Sequence, residues 1–274
     1  MIPLEDNFAD VISKAQRGLN ISDGELSEKA RLDINVLRKL RDGHYNELAL
    51  LRVAPVLGLG ARALLALAKG AYRPSTSAIA GLATFNMPYH DMTVNAYLMW
   101  DIDSHEAVVF DTGADCAAIL ARIEGEKLSV KLILLTHAHP DHIADLEKLR
   151  AATTAPIFIS SRESAAGAEP IEEGKTFQIG ELQIRALLTW GHSRGGITYF
   201  VTGLKRPVAI VGDSMFAGSM GGGAVSYQDA LQNNLEKILT LPDDTIICPG
   251  HGPLTSVAEE KHHNPFFAAV TGDE

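Results

Sequence analysis

The chain has 274 residues, 46% of them hydrophobic, which is enough to bury a core in one or two domains. Its net charge of −10 argues against a generally nucleic-acid-binding surface. Two cysteines make no disulfide framework, and no signal-peptide pattern follows the acidic start, so we expect a cytoplasmic protein. The most apolar stretch, residues 53–68, is interrupted by Pro55 and Arg62 and is too short for a bilayer, so no membrane partner is expected.

Residues 1–80 differ from the rest of the chain in charge and in pattern. They hold 11 Lys and Arg against 9 Asp and Glu, a net charge of +2, whereas the remainder has a net charge of −12. Amphipathic spacing and capping residues predict five short helices in this region. The predicted helices are 8–17, 23–30, 34–41, 48–57 and 61–68. We therefore expect an all-helical domain over 1–70 and a small, polar linker over 71–80.

The second and third predicted helices resemble a known DNA-binding unit. Residues 25–30 (ELSEKA) followed by 33–38 (DINVLR) resemble the helix-turn-helix of phage-repressor-like (Xre-type) domains, over roughly residues 8–68. That family usually has a glycine where this chain has Arg31, so a left-handed backbone is expected there. The resemblance implies that three side chains of the third helix face the DNA major groove: Asn35, Arg38 and Lys39. The alternative is a repressor-like fold used for homodimerisation or to cover an active site.

Beyond residue 80, short apolar strands alternate with helices. Strands are predicted at 95–100, 107–110, 131–135, 157–160, 182–188, 197–201, 208–211 and 245–248. Helices are predicted at 114–123, 144–151 and 228–239. This order predicts a layered α/β sandwich over residues 81–274.

A dense polar cluster follows the apolar strand at 131–135. His137 and His139, two residues apart, face the same side of an extended backbone, and Asp141 and His142 fall on the turn that follows. Neutral imidazoles and a carboxylate suit zinc, iron or manganese. The alternative is a histidine-rich turn in solvent.

Three more residues with metal-binding side chains occupy similar positions downstream. His192, Asp213 and His251 each come after an apolar segment, and each follows a glycine directly. A glycine beside a ligand lets the backbone approach an ion without a clashing Cβ. Any one of these residues alone would be an ordinary loop residue, but the set predicts a metal site.

The order of these residues resembles the metallo-β-lactamase superfamily. The motif is His137-x-His139-x-Asp141-His142, with Asp111-Thr112-Gly113 upstream and His192, Asp213 and His251 downstream. With Asp141 in the motif and Asp213 before the last histidine, the chain resembles the glyoxalase II-like branch. The resemblance covers about residues 80–265 and implies a four-layer αββα sandwich with the metals at one sheet edge.

The resemblance also implies a role for each residue of the set. One divalent ion would be held by His137, His139 and His192, and a second by Asp141, His142 and His251. Asp213 would bridge the two ions. Asp111 would contact a ligating imidazole on the side away from the ion and fix its tautomer. Asp141 and Asp213 are the predicted catalytic residues. We expect two zinc ions, with iron or manganese as alternatives.

Three functions are open on these grounds. The first is a hydrolase of a small ester, thioester or lactone, in which two ions activate water near neutral pH. The second is a mononuclear iron oxygenase resembling the persulfide dioxygenases of the superfamily, with His137, His192 and Asp213 as its two-histidine, one-carboxylate set. The third is a DNA-binding regulator whose enzyme-like domain senses a metabolite.

Several positions depart from the family pattern. Arg194 stands where a Gly-His-Thr-Pro-Gly loop would have proline, and it is either a contact to an anionic substrate or a solvated charge. Phe216 replaces the tyrosine of the quorum-sensing lactonases, which argues against that activity. The C-terminal helical domain of glyoxalase II has no counterpart after Phe267, so glutathione specificity is not predicted. Cys248, inside an apolar strand, is expected to be a small buried residue, and neither Cys116 nor Cys248 is expected to be a metal ligand.

Overall fold

The computed structural model describes residues 2–271, and the chain begins with five helices. They are α1 (Phe8–Gly18), α2 (Asp23–Ala30), α3 (Ile34–Arg41), α4 (Glu47–Val56) and α5 (Ala61–Ala68). The predicted capping box at the start of α2 is present, because the Ser22 side chain accepts from the Glu25 N–H and Glu25 reaches back to Ser22. Arg31, which ends α2, has φ +52° and ψ +47°, the left-handed backbone expected of it.

Two six-stranded sheets follow, each with its strands in chain order. The first contains β1 (Leu82–Tyr89), β2 (Met92–Trp100), β3 (Glu106–Phe110), β4 (Ser129–Leu134), β5 (Ile157–Ser160) and β6 (Ala168–Ile171). The second contains β7 (Thr176–Ile179), β8 (Leu182–Leu188), β9 (Ile197–Thr202), β10 (Val208–Gly212), β11 (Ile246–Pro249) and β12 (Thr255–Ser256). Strands β3 to β6 are parallel, as are β10 and β11, and the other neighbours are antiparallel.

The remaining helices lie between the strands and after them. They are α6 (Ala117–Gly125), α7 (Pro140–Ile143), α8 (Leu146–Thr153), α9 (Tyr227–Asn233), α10 (Val257–His263) and α11 (Ala268–Thr271). The single helix predicted at 228–239 is wrong in its second half, where the turns of Asn234–Ile238 widen to a π-helix. Asn234 is buried there and its amide donates to the Ser214 carbonyl at 2.8 Å. No helix within residues 2–271 is long and apolar enough to cross a membrane.

The elements pack in four layers, as the αββα prediction requires. Side chains such as Phe110, Tyr199 and Cys248 fill the space between the two sheets. Helices α6 and α8 cover the outer face of the first sheet. The outer face of the second sheet packs against α9, α10 and the N-terminal helices, whose apolar side chains join those of Val211 and Ile247 in one core.

The N-terminal helices are also tied to the end of the chain by polar contacts. The Gly60 N–H donates to the Pro265 carbonyl at 2.7 Å. Residues 71–80 contain no helix or strand, and Tyr72 among them is only 5% exposed. Its hydroxyl donates to the Glu260 carboxylate at 2.6 Å. The helices therefore form part of the outer layer rather than a separately packed unit.

Glu260 is fully buried where these segments meet. It accepts hydrogen bonds from Tyr72, from the Thr255 hydroxyl at 2.7 Å, from the Gly218 N–H at 3.0 Å and from the Asn264 amide at 2.8 Å. Burial raises the pKa of this carboxyl from its ordinary 4.5 to about 7, although the four hydrogen bonds act in the opposite direction.

We expect Glu260 to make the free energy of unfolding fall as pH rises. Between pH 4.5 and 7 the folded protein keeps a proton on this carboxyl that the unfolded chain releases, so raising the pH favours unfolding. The loss amounts to about 3 kcal/mol and is complete above neutral pH. Denaturant titrations at a series of pH values should show this slope in the wild type and not in Glu260→Gln. An identical pH dependence in both proteins would contradict the assignment.

Candidate metal centre

The ends of five strands bring the predicted ligands to one edge of the sandwich. Strands β3 and β4 run parallel, and so do β10 and β11. Strand β8 has the direction of β10 because both are antiparallel to β9. At the carboxyl ends of these strands, Asp111 follows β3, His137 follows β4, His192 follows β8, Asp213 follows β10 and His251 follows β11. Helix α7 then adds Asp141 and His142.

The first cluster comprises His137, His139, His192 and Asp213, whose ligand atoms all lie within 4.8 Å of one another. His139 Nδ1 is 3.0 Å from the Nε2 atoms of both His137 and His192. Asp213 Oδ2 is 3.3 Å from His192 Nε2 and 4.0 Å from His137 Nε2. Ligand atoms around a tetrahedral ion with bonds of about 2.1 Å lie about 3.4 Å apart. The spacing therefore suits a shared ion.

The second cluster comprises Asp141, His142 and His251. Asp141 Oδ2 is 3.3 Å from His251 Nε2 and 3.6 Å from His142 Nε2. Asp213 reaches this cluster too, with Oδ1 3.3 Å from His142 Nε2 and Oδ2 3.4 Å from His251 Nε2. Asp213 thus lies between the two clusters and contacts both.

Two observations test whether these residues fit metal ions. His142 Nε2 and Asp213 Oδ1 are buried and make no hydrogen bond within residues 2–271, although orphaned buried polar atoms are costly. A cation between them would satisfy both atoms. A Cβ on Gly250 would lie 2.1 Å from Asp213 Oδ1 and 2.6 Å from His142 Cε1, so only glycine lets the chain pass this close to the ligands. The donor set therefore fits two divalent ions.

The far side of each imidazole is held by a hydrogen bond. In four of the five rings Nδ1 has an oxygen partner at 2.6 to 3.0 Å, which leaves the Nε2 lone pair for an ion. The partners are the Thr136 hydroxyl for His137, Asp111 for His142, the Gly222 carbonyl for His192 and the Thr93 carbonyl for His251. His139 instead presents its Nδ1 to the cluster.

Asp111 orients two of these rings, His142 directly and His137 through Thr136. Its carboxylate is 2.9 Å from His142 Nδ1, and it accepts from both the backbone N–H and the hydroxyl of Thr136 at 2.7 Å. The Thr136 hydroxyl can then accept from His137 Nδ1, 3.0 Å away. Asp111 has φ +57°, so the backbone is held in a left-handed conformation to make these contacts.

Replacing Asp111 with asparagine should weaken metal binding about 10- to 100-fold. The amide has the same shape, but its NH2 group cannot accept from His142 or from Thr136. Competition against a chromogenic chelator measures the affinity. Asp103→Asn, at an exposed turn position, is the matched control. Equal affinities for the two variants would show that Asp111 does not position the ligands.

The carboxylates set the charge of the cluster. Burial lowers the pKa of His142 and of His251, but Asp213 and the other nearby carboxylates outweigh it and raise the two values to about 10 and about 11. The pKa of Asp213 is held well below its ordinary value by these histidines despite its burial, which acts to raise it. A metal ion therefore displaces protons from His142 and His251, and metal affinity rises with pH.

The other predicted residues lie apart from the clusters. Arg194 is exposed and makes no side-chain hydrogen bond or ion pair within the described part of the chain, so its contact to a substrate stays a prediction. The candidate DNA contacts are exposed along α3: Asn35, Arg38 and Lys39. Cys248 is buried, as predicted, and Cys116 is buried too; both are unpaired within residues 2–271, and burial raises the pKa of Cys116 to about 12.

Two supporting residues escaped the sequence analysis. Glu163 accepts from the Ala138 N–H at 2.5 Å and from the Gly195 N–H at 2.9 Å, which ties the His139 loop to the His192 loop. Asn95 donates to the carbonyls on both sides of the His251 turn, at 2.9 and 2.8 Å. Nothing in the local sequence marks either residue, because their partners come from distant segments.

Comparisons with known proteins agree with this geometry. The profile of the metallo-beta-lactamase superfamily matches residues 91–251, which include all seven residues of the two clusters. The chain is 32% identical to the probable metallo-hydrolase YqgX of Bacillus subtilis over 66% of this chain and 95% of that protein. It is 28% identical to the hydroxyacylglutathione hydrolase GloC of Haemophilus influenzae, over 63% of this chain and 92% of that protein.

Solved structures share the fold. The B3 metallo-beta-lactamase BLEG-1 superposes with a TM-score of 0.60 and 31% identity, covering 67% of this chain and 99% of that one. ETHE1 from Myxococcus xanthus gives 0.59 and 26%, covering 67% and 83%. TTHA1623 in a di-iron-bound form gives 0.55 and 26%, covering 67% and 100%. The sequence match, the sandwich and the order of the clustered ligands all agree, and the chain belongs to the metallo-beta-lactamase superfamily.

Proposed function

We propose that the protein is a hydrolase with two divalent metal ions that acts on a small ester, thioester or lactone. The observation that carries this proposal is the position of Asp213 between two clusters that each have three further ligands. Two similar proteins support the proposal: GloC is a hydroxyacylglutathione hydrolase, and the structure of TTHA1623 was solved in a di-iron-bound form. Zinc is our first choice of metal because imidazole nitrogens dominate the donor set.

The metal ions and the side chains of the site would have different roles in hydrolysis. Two divalent ions held by the two clusters would supply Lewis acidity for a substrate carbonyl and a water nucleophile that is active near neutral pH. The Asp213 side chain is 7% exposed and contacts both clusters, so it fixes the distance between them. The Asp141 side chain is 12% exposed and that of His142 is fully buried, so Asp141 is on the solvent side and can accept a proton from the attacking water. No serine or cysteine nucleophile is required.

Reconstitution tests the proposal. The metal-free protein is loaded separately with zinc, iron(II) and manganese and assayed on matched esters, thioesters and lactones of small acids. We expect turnover in at least one substrate class, dependent on metal and abolished by a chelator. The proposal would be contradicted if no metal-loaded form hydrolysed any of the substrates. Turnover that continued after complete removal of metal would also contradict it.

The second candidate is a mononuclear iron oxygenase. His137, His192 and Asp213 by themselves form a two-histidine, one-carboxylate set, and the chain shares its fold with ETHE1. The second cluster offers the hydrolase a place for a second ion, but its residues do not by themselves decide between the two candidates. Oxygen uptake by the iron-loaded protein with glutathione persulfide, at one iron per chain, would favour the oxygenase instead.

A regulatory role through DNA rests on α3. Asn35, Arg38 and Lys39 are exposed and follow the left-handed Arg31 turn, while Leu37 and Leu40 are buried against the other helices. This arrangement leaves the helix face free to enter a major groove. A gel shift with random duplex at low salt should retard the wild type, and the triple alanine variant of these residues should lose the shift. No shift for the wild type would exclude the role.

A further inference from the structure

The loop over residues 214–222 contacts a ligand of each metal cluster. The Gly222 carbonyl lies 3.0 Å from Nδ1 of His192, in the first cluster, and accepts a hydrogen bond from it. The ring of Phe216 meets the ring of His251, in the second cluster, edge-on with 5.6 Å between centroids. The path of this loop therefore affects the orientation of one imidazole on each side of the site.

The loop backbone has little room to move. A Cβ on Gly221 would lie 1.9 Å from the Asp213 carbonyl oxygen and 3.0 Å from His192 Nδ1. Phe216 and Ser219 exchange two backbone hydrogen bonds, at 3.0 and 3.1 Å, which close a tight turn. Close-packed atoms transmit a displacement instead of absorbing it, so a shift of this loop moves the ligands that it contacts.

Two charged side chains from the start of the chain hold the loop. Asp6 accepts from the Ser219 hydroxyl and pairs with Lys14 of α1. The Lys14 ammonium also donates to the Met220 carbonyl at 2.9 Å and lies 5.0 Å from the centroid of the Phe216 ring, within the range of a cation–π contact. Lys14 thus contacts the loop through its backbone and through its aromatic side chain.

This pair lies away from solvent, in a part of the chain outside the superfamily match. The Lys14 and Asp6 side chains are 15% and 9% exposed, so the removal of one charge would leave the other buried without its partner. The same segment contacts the turn after His251, because a Cβ on Gly252 would lie 3.2 Å from the Glu5 nitrogen. The superfamily match begins at residue 91, so these contacts come from beyond it.

We propose that Lys14 is a positioning residue for the two-ion site on which the proposed hydrolase function rests. Its ammonium fixes the Met220 carbonyl and the Phe216 ring. It thereby holds the Gly222 carbonyl against His192 and the aromatic contact against the second cluster. The N-terminal helical region orients the metal ligands in this way, although the seven residues of the two clusters lie in the α/β sandwich.

Cobalt(II) titration of the metal-free protein tests this without turnover. The visible absorption bands of bound cobalt give its Kd and report the geometry of its ligands. Lys14→Met removes the ammonium and keeps the length of the side chain. In the double variant Asp6→Asn/Lys14→Met neither charge is left buried alone, and the asparagine oxygen can still accept from Ser219, so this variant keeps the fold.

We expect both variants to bind cobalt about three- to ten-fold more weakly than the wild type, with shifted absorption bands. The loss is smaller than at Asp111 because Lys14 acts through the loop and does not contact a ligand itself. Lys14→Arg keeps a cation that can donate to the Met220 carbonyl, so it should recover most of the affinity and the wild-type bands.

Lys29→Met is the matched control, because Lys29 is exposed on α2, and its affinity and bands should equal those of the wild type. Circular dichroism shows that each protein is folded. A folded double variant with wild-type cobalt affinity and bands would overturn the positioning role of Lys14 and leave the hydrolase proposal intact. Failure of the wild type to bind cobalt would overturn the metal-dependent function itself, and the role of Lys14 with it.

Discussion

Replacing Asp213 with asparagine is expected to remove both metal ions and to lower kcat/KM by more than about 1,000-fold. One oxygen of this side chain lies 3.3 Å from His142 and the other 3.3 Å from His192, so neither cluster is complete without it. The pKa of Asp213 is held well below its ordinary value, so the native group is an anion. A neutral amide at the same place turns an NH2 group toward a ligand nitrogen and supplies no charge.

Metal analysis and steady-state kinetics measure this outcome together. Asp243→Asn is the matched control, because the Asp243 side chain is 70% exposed and its one ion pair among residues 2–271 is with Lys261 at the surface. The control should keep the wild-type metal content. If Asp213→Asn also kept it, Asp213 could not be the bridging residue.

Replacing Gly250 with alanine is expected to lower kcat/KM by more than about 100-fold, although no ligand is removed. The added Cβ would overlap Asp213 Oδ1 at 2.1 Å and His142 Cε1 at 2.6 Å, and the third nearest atom is backbone carbon of Gly212 at 3.2 Å. To reach a 3.0 Å contact, Asp213 Oδ1 must move by about 1 Å and His142 Cε1 by about 0.4 Å. Displacements of about 1 Å at a reacting centre cost about 100-fold in rate. The metal held by His142 should be lost first.

Gly125→Ala provides the control for this variant. Gly125 is the last residue of α6 and a Cβ there meets nothing within 4 Å, so metal content and activity should not change. Thermal unfolding by circular dichroism shows whether each variant is folded. A folded Gly250→Ala protein with two ions and wild-type activity would mean that the clusters tolerate a looser arrangement than their contacts imply.

The metal clusters were predictable because each ligand carries a local signal. His137, His139 and His142 are close in sequence, and the downstream ligands each follow an apolar segment and a glycine. Parallel strands then bring those ends to one edge. Asp111 belongs to the same pattern, and the structure places it behind His142.

The N-terminal helices were predictable for a different reason. Their starts are marked by capping side chains, as at Ser22, and their apolar residues recur at helical spacing. The sequence pattern did not indicate that these helices pack against the second sheet. Ile12, Leu50 and Leu64 share a core with Val211 and Ile247 of the second sheet, a contact made between residues far apart in the chain.

Short edge strands and irregular turns were missed. Strands β6 and β7 have four residues each and one buried residue each, which is too little apolar pattern to distinguish a strand from a loop. The π-helical turn depends on Asn234 reaching Ser214, a tertiary contact. The contact between the Glu5 backbone and Gly252 was not predictable either, because it arises only when the start of the chain folds onto the turn after His251.

The measurement that tests the central claim most directly is the metal content of protein purified without chelators or added metal. Inductively coupled plasma mass spectrometry against protein concentration gives identity and stoichiometry together. Two complete clusters joined by Asp213 predict close to two ions of zinc, iron or manganese per chain. A single tightly bound iron per chain, with no second ion taken up on titration, would contradict the binuclear hydrolase.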